Sequence, residues 1–231
     1  QIGQGSYANV YRYKDIFYNR NFVIKRAKKD LTDKEISRFK REFEEMNEFS
    51  SPYILEVYCY NDDKNEYIME YMDYTLDSYI SQNNSKLSAS QRKGISLQIL
   101  KAFEYIHSKN RLHRDISPKN ILIRKYDDVP VIKIADFGLV KIPDSELTTA
   151  NTEFKGYFND PALVVDGFHT YNILHETYAL TRIVYYVMTG RTNVDKTVDV
   201  GLKSFIQRGL NSDKAKRFQN VSEMIQAFRH I

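Results

Sequence analysis

The chain has no tryptophan, one cysteine, five prolines and nine glycines in 231 residues. The lone Cys59 excludes an internal disulfide and fits a reducing compartment. No stretch approaches the ~18 consecutive apolar residues that read as a membrane span, so no membrane segment is expected. The N-terminal residues lack the basic-then-apolar pattern of a secretory signal, and the expected location is the cytoplasm. Neither sign of charge dominates: 34 basic and 30 acidic residues leave a formal charge of +4. No Lys/Arg block is present, and a charge this small gives no reason to expect a nucleic-acid partner. What is there looks globular. Hydrophobic residues make up 42% and charged residues 28%, which excludes wholesale disorder. The length suits one large domain or two small lobes.

The first 72 residues read mostly as short strands (Val10 to Tyr13, Phe22 to Arg26, Ile54 to Tyr60, Glu66 to Tyr71). One helix interrupts them, from Thr32 to Phe49. Thr32 and Glu35 stand at capping-box spacing, and Ile36, Phe39, Phe43 and Met46 form an apolar stripe. From about Leu76 the pattern turns helical. Ile95, Ile99, Phe103 and Ile106 stripe a helix from Ser90 to Asn110, Tyr171 to Met188 reads as a buried helix, and Val221 to Ile231 as a final amphipathic one. Ile121 to Arg124 and Val131 to Ala135 predict a hairpin, and residues 139–160 a long loop.

Four local patterns carry chemistry. Gly3, Gly5, Ala8 and Val10 precede a strand; the two glycines fit either a phosphate cradle or a plain turn. Lys25 ends the strand Val23-Ile24-Lys25, as a surface lysine or as a cation over nucleotide phosphates. On the helical wheel Glu42 borders the apolar stripe and could pair with it, while Glu44 and Glu45 point further towards solvent. In His113-Arg114-Asp115-Ile116-Ser117-Pro118-Lys119-Asn120, Asp115 can take a proton from, or orient, a hydroxyl. Asn120, five residues on, can offer a neutral oxygen to a hard cation such as Mg²⁺. Asp136-Phe137-Gly138 then puts a carboxylate at the end of a hairpin strand.

In this order and at these spacings the patterns resemble the eukaryotic-type protein kinase family over nearly the whole chain. The resemblance implies an α+β bilobal fold. Residues 1–72 would form a β-rich N-lobe and hinge, and residues 73–231 a helical C-lobe. Because only Gln1 and Ile2 precede Gly3, the first strand is expected to be truncated. ATP and Mg²⁺, with Mn²⁺ as an alternative, are the implied cofactors. Gly3, Gly5 and Val10 would cover the nucleotide, with Val10, Val23 and Leu122 around the adenine. Lys25 would hold phosphates and pair with Glu42. Met69 would be the gatekeeper, with Glu70 and Met72 offering backbone groups to adenine. Asp115 would orient the acceptor hydroxyl, and Asn120 and Asp136 would hold the metal. His113, Phe137 and Met46 would join the stack that links the lobes, and Arg114 would pair with a phosphate on Thr148, Thr149 or Thr152 placed there by autophosphorylation. The implied activity is transfer of the γ-phosphate to Ser/Thr hydroxyls of a protein substrate that the sequence does not name. A nucleotide-binding scaffold without catalysis and a kinase-fold enzyme acting on a small molecule are the competing readings.

The departures from the family pattern lie in the peptide-binding half. Ser117 stands where serine/threonine kinases carry lysine, and Lys119 stands where many tyrosine kinases carry arginine, able to reach the γ-phosphate by another route. Asp160-Pro161-Ala162 replaces Ala-Pro-Glu, which leaves Arg217 without its usual glutamate and Asp160 as the substitute partner. Lys155 takes the place of a threonine, and Glu176 that of the aspartate opening the buried helix. Between Arg191 and Gly201 the chain is too short for the usual substrate-docking helix.

Overall fold

The computed structural model describes residues 1–5, 7–137, 158–196 and 199–231. Its first part is a five-stranded antiparallel sheet in the order β1-β2-β3-β5-β4. The strands are β1 (Gly3–Gln4), β2 (Ala8–Asp15), β3 (Arg20–Ala27), β4 (Val57–Asn61) and β5 (Glu66–Glu70). Helix α1 (Asp33–Asn47) lies between β3 and β4 in sequence and opens on the capping box of Thr32 and Glu35. Of its apolar stripe Phe39 and Met46 are buried, and Ile36 and Phe43 are half-buried. Phe39 and Phe43 pack their rings on Tyr60 and Tyr67, which seats the helix on the sheet.

The second part is helical around a small sheet, β6 (Tyr74–Thr75), β7 (Ile121–Tyr126) and β8 (Val129–Ile134). Its helices are α2 (Leu76–Asn83), α3 (Ala89–Ser108), α4 (Ala162–Asp166), α5 (Ile173–Thr189), α6 (Val200–Gly209) and α7 (Val221–Phe228). The α3 stripe of Ile95, Ile99, Phe103 and Ile106 is at most 1% exposed, so this helix is a central beam of the core. Helix α5 starts at an Asn172 cap and stops at Gly190, whose φ of 67° lies in the left-handed region that glycine enters without strain. Among the described residues no helix is long and apolar enough to cross a membrane.

The architecture is the bilobal α+β fold, and several expectations change in detail. The apolar run from Ile54 does not enter the five-stranded sheet until Val57. Ile54 instead forms a parallel bridge to Ile134, with Leu55 N–H donating to the Ile134 carbonyl at 2.9 Å, and so ties the lobes together. Between Arg191 and Gly201 the described residues make one 3-10 turn, Val194–Lys196, before α6 begins at Val200. The sequence reading did not isolate α6, although Leu202, Phe205 and Ile206 bury one face at helical spacing. Glu45, expected towards solvent, is only 6% exposed.

Candidate active site

Strand alternation places the first group of candidates on one face of the sheet. In antiparallel register Val10 faces Lys25 and Lys25 faces Tyr67, while Val23 faces Met69. Side chains directly opposite one another share a face, as do residues two apart. Val10, Val23, Lys25, Tyr67 and Met69 therefore line the same side of the sheet. Val23 is buried; Val10 and Met69 are half-buried. At Gly5 an added Cβ would meet only the Ala8 carbonyl, at 3.8 Å, so the protein's own packing does not require this glycine. Gly3 is equally uncrowded, with Val10 Cβ at 3.5 Å, and Ala8 is buried.

Lys25 Nζ lies 2.6 Å from Glu42 Oε1, and the Tyr67 hydroxyl donates to the same oxygen at 2.8 Å. Burial alone would lower the lysine pKa. Glu42 beside it, with Tyr67 and Asp136 nearby, overcomes that and holds it well above the usual lysine range, so Lys25 stays charged. Tyr67 was not among the sequence candidates, yet its position opposite Lys25 follows from the same alternation.

The catalytic-loop candidates form a second group. His113 is fully buried. Its Nε2 lies 3.0 Å from the Ala135 carbonyl and its Nδ1 takes the Asp115 N–H at 3.3 Å, so the two partners fix Nε2 as the donor. Ala135 N–H in turn donates to the Asn120 carbonyl at 2.9 Å. Ala135 is thus held from both sides by the loop, and Asp136 follows it directly. Asn120 Nδ2 donates at 2.9 Å to both the carbonyl and the Oδ2 of Asp115, which directs the amide oxygen away from Asp115. Arg114 and Asp136 have φ of 69° and 66°, left-handed values that cost of order 1–3 kcal/mol each for non-glycine residues and persist only when surrounding contacts impose them.

Glu176 supplies such a contact. Fully buried on α5, it takes the Arg114 N–H on Oε1 at 2.7 Å and lies 2.5 Å from His107 Nε2 through Oε2. Burial would raise its pKa; His107 and the Arg114 N–H outweigh that and bring it below the usual carboxylate range. The Arg114 guanidinium lies over the Phe168 ring at 4.4 Å, with Nη2 donating to the Phe168 carbonyl at 3.2 Å. Neither His107 nor Phe168 carries a local sequence signal; both contacts arise from packing between distant segments. Thr148, Thr149 and Thr152, with Lys155 and Gly138, lie outside the described residues.

Leu122 is half-buried on β7, in the second sheet. Lys119 is exposed and makes no ion pair among the described residues. Glu70 spends its N–H on the Glu56 carbonyl and its carboxylate on Lys133, 2.5 Å away on β8; Met72, just beyond it, is half-buried. Phe137 is 1% exposed and stacks against His113 at 4.9 Å and Phe49 at 5.0 Å, with Met46 in the same core. Asp160 meets Arg217 in a buried ion pair.

The protein kinase domain family matches residues 1–230. The chain belongs to that family. Relatives of this kinase domain include the probable serine/threonine-protein kinase PknB of Lactococcus lactis, 31% identical over 96% of the chain and 37% of that protein. PrkC of Bacillus subtilis, a serine/threonine-protein kinase, is 33% identical over 87% of the chain and 32% of its own length. The kinase domain thus spans about a third of each of these proteins, 37% of one and 32% of the other. A crystal structure of the Rad53 kinase domain and SCD2 shares the fold at a TM-score of 0.74 and 21% identity, covering 95% of this chain and 83% of that one.

Proposed function

We propose that the chain is the catalytic domain of an ATP- and Mg²⁺-dependent protein kinase that phosphorylates serine or threonine hydroxyls. What supports this reading is the Lys25–Glu42 pair with Asp136 close enough to act on the lysine charge, and the Asp115–Asn120 pair joined to Asp136 through Ala135. A scaffold that only binds nucleotide has no use for Asp115, Asn120 and Asp136 together. The two bacterial relatives named as serine/threonine-protein kinases favour a protein acceptor over a small molecule.

The donor set suits a hard cation. The amide oxygen of Asn120 and the carboxylate of Asp136 are oxygen ligands, which Mg²⁺ and Mn²⁺ prefer. Among the described residues no cluster of three or more His, Cys, Asp or Glu side chains gathers to hold a metal. That fits an ion bound by one or two protein oxygens together with the phosphates it neutralises. When bound, the ion supplies charge stabilisation at the transferring phosphoryl group.

The chain's own residues do the rest. Lys25, kept charged and fixed by Glu42 and Tyr67, holds phosphate oxygens from above. Val10, Val23 and Met69 give the base an apolar face, and Leu122 closes it from below. Asp115, braced by Asn120, orients the acceptor hydroxyl and receives its proton. Lys119 stays free to approach the γ-phosphate. Such catalysis is positioning plus electrostatics. The test is transfer of labelled γ-phosphate from ATP to the chain itself, a generic protein and small hydroxyl compounds, with phosphoamino-acid analysis. Phosphoserine or phosphothreonine is expected. Asp136→Asn and Asp115→Asn should each lower kcat by about 10²-fold or more, and Asp115→Asn should still bind nucleotide. Transfer to small hydroxyl compounds alone, or none at all, would refute the assignment.

A further inference from the structure

Helix α1 buries two carboxylates, Glu42 and Glu45. Glu42 serves Lys25. Glu45, three residues on, is 6% exposed and accepts a hydrogen bond from Arg111 Nε at 2.9 Å, with Arg41 Nε 3.6 Å from its other oxygen. Arg111 also reaches Glu48, at 3.2 Å. This arginine belongs to the other lobe. It stands at the mouth of the catalytic loop, two residues before His113 and four before Asp115. The end of α1 has a separate tether, since the Tyr105 hydroxyl takes the Ser50 N–H at 2.9 Å. Arg111 therefore shares with this tether the task of holding the end of α1 against the C-lobe.

Residues three apart on a helix lie on one face. A roll of α1 that hydrates Glu45 must carry Glu42 away from Lys25. With Arg111 present the buried Glu45 is paired and the roll is opposed. Without it the buried carboxylate keeps only the longer 3.6 Å contact to Arg41, which sits on the same helix and would roll with it, so exposure of Glu45 is favoured. We propose that Arg111 is a positioning residue for phosphotransfer, acting through Glu45 to hold α1 at the rotation where Glu42 reaches Lys25. The proposal rests on the kinase reading of the cleft given above.

The test compares Arg111→Met, Glu45→Gln, the double variant and Arg111→Met on a Glu42→Gln background. It measures phosphotransfer and amide hydrogen exchange across residues 33–47. Arg111→Met is expected to lower kcat/KM for ATP about tenfold or more and to speed α1 exchange, and adding Glu45→Gln, which removes the buried charge, to restore most of both. On the Glu42→Gln background Arg111→Met should change the rate less than about twofold, because the pair it protects is already gone. A loss of equal size on both backgrounds, or one that Glu45→Gln does not relieve, would overturn the proposal. If the wild-type chain transfers no phosphate, the kinase reading fails. The exchange comparison then still decides the clamp: α1 exchange that Arg111→Met leaves unchanged refutes it, and faster exchange reversed by Glu45→Gln supports it.

Discussion

Removing the Asp160 carboxylate is the sharpest test of how the C-lobe compensates for Ala162. The side chains of Asp160 and Arg217 are each 2% exposed, and the Arg217 Nη1 donates to Asp160 Oδ2. Arg217 also donates through Nε to the Asn211 carbonyl at 2.6 Å and lies over the Tyr178 ring at 4.9 Å. Asp160 Oδ1 caps the Ala162 N–H at 3.0 Å. In Asp160→Ala the guanidinium stays buried without its counter-charge, which costs about 3–5 kcal/mol. The lost cap adds about 1 kcal/mol. For a domain of this size each kcal/mol lowers Tm by about 2–4 °C, so the drop should be on the order of 10–20 °C. Asp160→Asn keeps the cap and a neutral acceptor, and should lose about half as much. Asp160→Ala combined with Arg217→Met leaves no orphaned charge and should recover most of the stability. Equilibrium urea unfolding of the full chain at neutral pH, read by circular dichroism, measures all three. An Asp160→Ala protein within about 1 kcal/mol of wild type would place this pair among weak surface pairs. A double variant no more stable than Asp160→Ala would show that the orphaned charge is not what destabilises it.

Three further outcomes are expected. His175 is buried, and burial, with Lys214 and Arg217 adding to it and Asp160 opposing, holds its pKa below the usual histidine value. The unfolded chain then binds the proton more readily, so stability should fall as pH drops below about 6.5. His175→Gln, which can keep the bond from the Asn172 N–H, should flatten that limb of a urea-midpoint-against-pH curve; an unchanged slope would acquit the histidine. Tyr67→Phe removes a donor from the buried Glu42 and should lower stability by about 1.5–3 kcal/mol in the same unfolding assay. A Cβ at Gly209 would overlap Thr181 Oγ1 and lie 2.5 Å from its Cγ2 on α5, so Gly209→Ala should destabilise by about 1–3 kcal/mol, and Thr181→Ala, which removes both atoms, should relieve part of that; an additive pair of losses would exclude the clash.

The features legible in the sequence were those written in local periodicity. The α3 stripe, the Thr32 capping box and the β7–β8 hairpin needed no partner from elsewhere in the chain. The Lys25–Glu42 meeting was nearly as legible, since strand alternation gives Lys25 its face and the wheel puts Glu42 beside the apolar stripe. Glu45 shows where such reasoning stops. A glutamate away from the apolar stripe reads as solvated, and the closer of its two arginine partners, Arg111, lies 66 residues further along. Ile54 is the same lesson in a strand, where an apolar run could not reveal that its first residues bond to β8 rather than to β5.

A common logic links these long-range contacts. Arg114 and Asp136 both hold left-handed backbone that their own residue types disfavour, so neither conformation can come from local preference. Each is imposed from outside: Arg114 by Glu176 on α5, and Asp136 through Ala135, which His113 and Asn120 grip on either side. The α1 helix is governed in the same way, by Arg111 at the entrance to that loop. The three strands of control meet between residues 107 and 120, where His107, Arg111, His113 and Asn120 all make these contacts. A perturbation there should therefore disturb the Asn120–Asp136 region and the Lys25–Glu42 pair together. Perturbing Lys25 or Glu42, which lie at the far end of the α1 branch, should leave the Asp115–Asn120 geometry intact.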